Sequence, residues 1–106
     1  MKLYTYDPAP NPKRLQMLID YKGIDINTVQ IDMMKGEQLG DDYKAINPLG
    51  TLPALVLEDG TVLSEVIGAC LYLESLYPER PLMGAPGLEQ ARVISWDHLI
   101  FNAVFQ

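Results

Sequence analysis

Asn47-Pro48-Leu49-Gly50-Thr51-Leu52-Pro53-Ala54-Leu55-Val56-Leu57 is the stretch around which the rest of the chain can be ordered. It passes from turn-forming residues into an apolar run, and Asp59-Gly60 separates that run from Thr61-Val62-Leu63, the pattern of a β-hairpin. The Asp-Gly pair predicts a type I′ turn. Pro53 stands at the first residue of its strand, where proline is tolerated in any fold. A sharper reading makes the Leu52–Pro53 bond cis, with the main-chain N–H and C=O of Leu52 facing outward, free to pair with an extended peptide as a short added strand. The local sequence admits both.

Downstream of the hairpin, Ser64 is a natural N-cap for a helix carrying Ile67, Cys70, Leu71, Leu73 and Tyr77 on its apolar positions, and Pro78 ends it. Pro78–Gly87 holds three prolines and two glycines, the composition of a linker. From Leu88 the pattern is helical again. Its last residues are apolar most of the way round, which calls for burial on several sides. Upstream, residues 2–6 alternate and are rich in β-formers, and Asp7–Pro12 is broken by three prolines. Asn11 then reads as an N-cap with Pro12 at the first helical position, Leu15, Leu18 and Ile19 as the buried face, and Gly23 as the stop. Ile26–Ile31 is a second strand, Val29 and Ile31 sharing a face. A strand, helix and strand within some 30 residues predict a parallel βαβ unit with a right-handed crossover. Residues 34–46 are polar and glycine-bearing, with a short helix expected at Asp41–Ala45. The order β-α-β, connection, β-β-α fits an α/β fold of the thioredoxin-like type.

Composition narrows the function classes. A hydrophobic content of 48% over 106 residues suits one small globular domain or a domain and part of another. The net charge of −6 speaks against nucleic-acid binding, which needs a basic footprint. The single cysteine, Cys70, forms no internal disulfide and belongs to no Cys-x-x-Cys pair; read within its helix, it is a packed apolar residue. The single histidine, His98, makes no metal site by itself, and beside Trp96 and Asp97 it reads as surface or interdomain packing. No metal is expected. No apolar run approaches the roughly 18 residues of a membrane span, and Met1-Lys2-Leu3 shows no leader pattern, so a cytoplasmic protein without membrane contact is expected.

Four features carry chemistry, each with an ordinary structural reading beside it. Leu52-Pro53 has been described. Asn11 at a helix N-terminus is either a plain cap or a donor to a thiolate, which helix ends stabilise. Ser64-Glu65 is either routine capping with dipole complementation or a site where the helix end takes a carboxylate and Glu65 an ammonium group. Of Tyr4 and Tyr6 on the first strand, one should point inward, more in keeping with core than with catalysis.

Taken in order, these segments resemble one family. Asn47-Pro48-Leu49-Gly50-Thr51-Leu52-Pro53-Ala54-Leu55 is similar to the NPxGxxPxL segment of glutathione transferases. Leu63-Ser64-Glu65, Cys70 and Tyr72-Leu73-Glu74 resemble the LSES-x-AI-x-x-YLE segment that follows it there. Ala9–Arg14 resembles the start of the first helix in bacterial members. The resemblance covers residues 1–86, while 87–106 look like the first helix of the family's all-helical domain. It implies residues 1–80 as the thioredoxin-like glutathione-binding domain, 81–86 as linker, and 87–106 as the start of an all-α domain that continues past Gln106.

The resemblance also implies roles. Leu52, before a cis Pro53, would pair its main chain with the cysteinyl part of glutathione, and Glu65 would meet the γ-glutamyl end. Asn11 resembles the arrangement of nu-class bacterial members, where an asparagine contacts the sulfur; Tyr6 is the fallback catalytic residue. No serine or cysteine lies between Asp7 and Arg14. Val66 replaces the serine that commonly follows the glutamate, leaving only its main-chain N–H; one hydrogen bond lost to a charged group costs about 1.5–3 kcal/mol. Thr51 stands where many members carry a lysine reaching the glycine carboxylate, a gap for Lys35 or Lys44 to fill. Arg14, read from the residues alone, is expected to pair with acidic neighbours or with the linker, without catalytic meaning. The implied protein is a homodimeric enzyme that activates the thiolate of glutathione, its co-substrate, for transfer to an electrophile. The alternatives are a non-catalytic interaction module or a glutathione-dependent disulfide reductase. Were residues 1–106 the whole protein, activity would not be expected.

Overall fold

In the computed structural model, which describes residues 1–105, the strands β1 (Lys2–Thr5), β2 (Asn27–Gln30), β3 (Ala54–Val56) and β4 (Val62–Leu63) form one mixed sheet in the order β2-β1-β3-β4. β1 runs parallel to β2 and antiparallel to β3, and β3 is antiparallel to β4. The helices are α1 (Pro10–Lys22), the single turn α2 (Asp41–Lys44), α3 (Val66–Leu76) and α4 (Leu88–Phe105). This is the expected thioredoxin-like βαβ-ββα order followed by a helix. Gln106, the last residue of the expected 87–106 segment, lies outside the described residues.

Alternation along the strands sorts the core into two layers. Leu3, Leu55 and Leu63 face α1 and α3, meeting Leu15, Leu18, Ile19, Ala69, Cys70 and Leu73. Tyr4, Ala54 and Val62 face the other way, toward Tyr43 of α2. Tyr6, two residues beyond Tyr4, joins that second cluster with Leu52. Both tyrosines thus share one face, where the sequence reading had expected a single inward one.

Several local expectations are corrected. α1 begins at Pro10 with Ala9 as its cap, because the Ala9 carbonyl already accepts from Lys13 at 3.2 Å and Asn11 makes no capping bond. Its far end follows expectation: Gly23 adopts φ 67°, its N–H donates to Asp20, and Ile24 donates to Ile19, a Schellman ending. β2 is shorter than Ile26–Ile31, although Ile31 still donates to the Thr5 carbonyl at 2.8 Å. Two 3₁₀ turns, Met33–Lys35 and Glu37–Leu39, fill the polar stretch, and Ala45 caps α2 instead of continuing it. The hairpin turn is not type I′. Among the described residues only glycines have positive φ, so Asp59 cannot occupy that turn; Gly60 at φ 89° closes a three-residue loop, with Leu57 donating to Thr61 and Gly60 to Leu57. The cap of α3 is Glu65, not Ser64, and Tyr77 lies just beyond the helix.

The connection from Pro78 to Gly87 has neither helix nor strand, yet side chains pin it. The Lys22 ammonium, 1% exposed, lies 2.6 Å from Glu74 Oε1. It also donates to the carbonyls of Tyr77 at 2.8 Å and Arg80 at 2.9 Å. Glu74 in turn accepts from the amides of Leu82 at 3.0 Å and Met83 at 2.5 Å. Burial opposes ionisation of Glu74, but the lysine and the two amides outweigh it and hold the carboxyl below its ordinary value. The same connection sets the start of α4, whose Leu88, Trp96, Leu99, Ile100 and Val104 are exposed.

Candidate functional site

The Asn47–Pro53 loop is a locked piece of main chain. Asn47, 2% exposed, donates from Nδ2 to the Thr51 carbonyl at 3.0 Å and to Thr51 Oγ1 at 3.2 Å. Its own carbonyl accepts from Gly50 at 2.9 Å. The Tyr43 hydroxyl adds a 2.6 Å bond to the Thr51 carbonyl. Burial raises the pKa of that phenol, with the Asn47 amide opposing and Tyr4 adding, which keeps the hydroxyl a donor at neutral pH. Gly50, at φ 66°, is required here: a Cβ would sit 3.0 Å from the Gln38 carbonyl oxygen.

This loop delivers Leu52 to the sheet edge. The Leu52–Pro53 bond is cis. The Leu52 side chain is buried, while its main-chain N–H and C=O take no part in any described hydrogen bond. Leu52 borders a cleft of about 250 Å³ shared by four elements: the start of α1 (Asn11, Arg14), the loop (Thr51, Leu52, Pro53), the start of α3 (Glu65, Val66) and α4 (Asp97, His98, Phe101). Asn11, Thr51, Leu52, Pro53, Glu65 and Val66, all given site roles from sequence, therefore meet at one cavity. Tyr6 does not line it; it packs in the layer around Tyr43. Lys35 and Lys44 do not line it either.

The two helix ends differ in what they offer. At α3, Glu65 is exposed and its side chain makes no cap, so the first-turn amides from Val66 remain available beside a carboxylate. At α1 the expectation of an amide-rich mouth needs correction. Pro10 and Pro12 carry no N–H and Lys13 donates to Ala9, which leaves Asn11 as the donor there, through its main-chain N–H and its side-chain amide.

Sequence reasoning missed the groups that hold Asn11. Arg14 Nη1 donates to Asn11 Oδ1 at 2.9 Å, and Nη2 donates to both carboxylate oxygens of Asp97, at 2.7 and 2.6 Å. The guanidinium lies over the Phe101 ring, 5.2 Å from its centroid. The Asn11–Arg14 contact is the i, i+3 neighbour relation of a helix and could have been found. The Asp97 contact, between positions 83 residues apart, had no local signal. Cys70 lies behind this cluster, 6% exposed; burial pushes its thiol up to about 11, against a smaller opposing pull from Arg14. Among the described residues no group of three or more histidine, cysteine, aspartate or glutamate side chains could hold a metal ion, and no helix is long and apolar enough to cross a membrane.

Sheet order, helix placement and the cis-proline loop beside the first helix define a thioredoxin-like domain of the kind found in glutathione transferases. Comparison with known proteins gives the family directly: the pattern of the glutathione S-transferase N-terminal domain matches residues 9–76, and the chain belongs to the glutathione S-transferase family. It is 37% identical over 83 residues to glutathione S-transferase Z1 of Arabidopsis thaliana, covering 78% of this chain and 37% of that protein. It is 33% identical over 94 residues to maleylacetoacetate isomerase of Pseudomonas aeruginosa, covering 87% of this chain and 44% of that one. The chain thus spans less than half the length of these relatives. A glutathione S-transferase domain-containing protein from Marinobacter aquaeolei superposes with a TM-score of 0.87 at 31% identity, over 95% of this chain and 50% of that one. A glutathione transferase homologue from Sulfitobacter, solved with bound glutathione, gives 0.79 at 27% identity, over 97% of this chain and 48% of that one. α4 stands where the family's all-helical domain begins.

Proposed function

We propose that this chain is the glutathione-binding part of an enzyme that ionises the glutathione thiol and directs the sulfur at an electrophile. In this reading the N–H and C=O of Leu52 pair with the main chain of the cysteinyl residue as a two-bond added strand. Glu65 takes the γ-glutamyl ammonium, and the Val66 amide at the α3 terminus takes the γ-glutamyl carboxylate. Thr51 lies toward the glycine end without supplying a charge. Asn11 donates its side-chain N–H to the sulfur, favouring thiolate over thiol and lowering the thiol from its reference value of about 8.5. The thiolate lone pair then forms the S–C bond while the leaving group departs with its electron pair. Residues 1–80 are the binding domain, 81–86 the linker and 87 onward the helical domain that supplies most of the electrophile site. We place the enzyme in the cytoplasm as a homodimer, with the exposed apolar residues of α4 covered in the full assembly.

The observation that supports this most is the meeting of unpartnered Leu52 main chain, Glu65, Val66 and Asn11 at one 250 Å³ cleft. The test is the full-length protein with glutathione and a chloronitroaromatic acceptor: thioether formed and chloride released above the buffer rate, with at least tenfold loss in Asn11→Ala. A rate equal to buffer, in a protein that also gives no heat on titration with glutathione, would leave a non-catalytic module.

A second reading, glutathione-dependent isomerisation, is favoured by the likeness to maleylacetoacetate isomerase. There the thiolate adds to the substrate and is expelled again, so glutathione is needed but not consumed. Stoichiometric loss of glutathione during turnover would decide against it.

A further inference from the structure

We propose that the Arg14–Asp97 pair is a positioning device that decides which end of the Asn11 amide faces the cleft. The two ends of an asparagine amide have nearly the same shape and opposite hydrogen-bonding character. Turned one way, Asn11 offers a thiolate two N–H donors. Turned the other, it offers a carbonyl lone pair that repels the anion. A guanidinium has donors and no acceptor. Its 2.9 Å contact from Nη1 therefore selects Oδ1 of Asn11 on the Arg14 side and sends Nδ2 away from it.

The selection works only if the guanidinium cannot turn, and three contacts fix it. Nη2 bridges both oxygens of Asp97 at 2.7 and 2.6 Å, and the guanidinium plane rests over Phe101 at 5.2 Å. Asp97 and Phe101 both belong to α4, so the orientation of the donor on α1 is set from the far wall of the cleft. The pair is also charge-balanced. Asp97 lines the cleft, and left alone its carboxylate would disfavour a thiolate; Arg14 cancels it. Orientation and neutralisation both act in favour of the ionised sulfur, and Arg14 need not touch the ligand to do either.

The inference rests on the proposed function, and its test separates the two. Bound-thiol ionisation is read from thiolate absorbance against pH in the full-length protein. Arg14→Met and Asp97→Leu are made together, so that no lone charge is left beside the cleft, with and without Asn11→Ala. With Asn11 present, pair removal should raise the titration midpoint by about one pH unit, a tenfold fall in the thiol's ionisation constant. With Asn11→Ala the same removal should move it by less than a third of that. An unchanged midpoint with Asn11 present, or equal shifts in both backgrounds, would overturn the inference. If the pair variant does not fold, the near-isosteric Asp97→Asn is read as a difference between backgrounds, because the unpaired Arg14 lowers the midpoint in both: a smaller downward shift with Asn11 present than with Asn11→Ala supports it, and equal shifts overturn it. A wild-type protein that binds no glutathione defeats the proposed function alone. The side-chain amide resonances of Asn11 in the ligand-free protein then decide: a change on Asp97→Asn supports the positioning role, and identical resonances refute it.

Discussion

Replacing Lys22 by methionine should destabilise the protein by about 3 kcal/mol, near the lower end of the roughly 3–5 kcal/mol seen when one partner of a buried ion pair is removed. Methionine keeps the stem of a side chain that is 1% exposed, so little packing is lost. What disappears is the ammonium at 2.6 Å from Glu74 and its two bonds to the Tyr77 and Arg80 carbonyls. Glu74 keeps its amide donors from Leu82 and Met83, which holds the loss near 3 kcal/mol and not higher. Urea unfolding is the assay. With a slope of about 1–3 kcal/mol/M, the midpoint should fall by about 1–3 M at unchanged slope. The effect should also depend on pH in a set direction. Glu74 titrates below its ordinary 4.5 in the folded protein, so its contribution is complete above 4.5 and is lost as pH falls through the lowered native value. In the variant the unpaired buried carboxylate gains from protonation, so the gap between wild type and variant should close in acid. A midpoint change under about 0.3 M, or a gap constant with pH, would show the pair to be worth no more than a surface salt bridge and refute the reasoning.

Cys70 should resist thiol reagents at neutral pH in the native protein and react fully once unfolded, because burial holds its thiol near 11; rapid native labelling would contradict its placement. Gly50→Ala should cost about 1–3 kcal/mol, combining a left-handed backbone with a 3.0 Å approach to the Gln38 carbonyl, measured as a lowered melting temperature. Leu55→Ala, at a fully buried position of β3 facing α1 and α3, should cost about 2–5 kcal/mol by chemical unfolding, whereas the same change at exposed Leu49 should cost little.

Much of the fold was legible because its signals are local. The apolar face of α1, Gly23, the hairpin and the run from Leu52 to Leu57 all report on neighbours within a few residues. Errors arose where two local choices compete at an element's end. Pro10 or Pro12 could each open α1, and Ser64 or Glu65 could each cap α3; the structure starts α1 at Pro10 and caps α3 with Glu65. The turn at Asp59-Gly60 differed because three loop residues, not two, separate the paired strand ends, and a type I turn followed by a left-handed glycine suits that length. The segments that carry the family resemblance bring Asn11, Thr51, Leu52, Pro53, Glu65 and Val66 to the cleft, because each segment is a short local motif at the end of a helix or strand. Asp97 was not legible, because its meaning depends on where α4 crosses α1. The thinning of donors at the α1 terminus was readable in principle from Pro10 and Pro12, whose missing N–H groups make Asn11 the remaining donor.

The central claim is that a thiol tripeptide lays its main chain along Leu52. An amide NMR titration of the full-length protein with reduced glutathione tests it most directly. The account predicts that the Leu52 and Val66 amides shift most and that exchange of the Leu52 proton with solvent slows on saturation. Glutathione that binds while leaving the Leu52 amide unmoved and freely exchanging would contradict it.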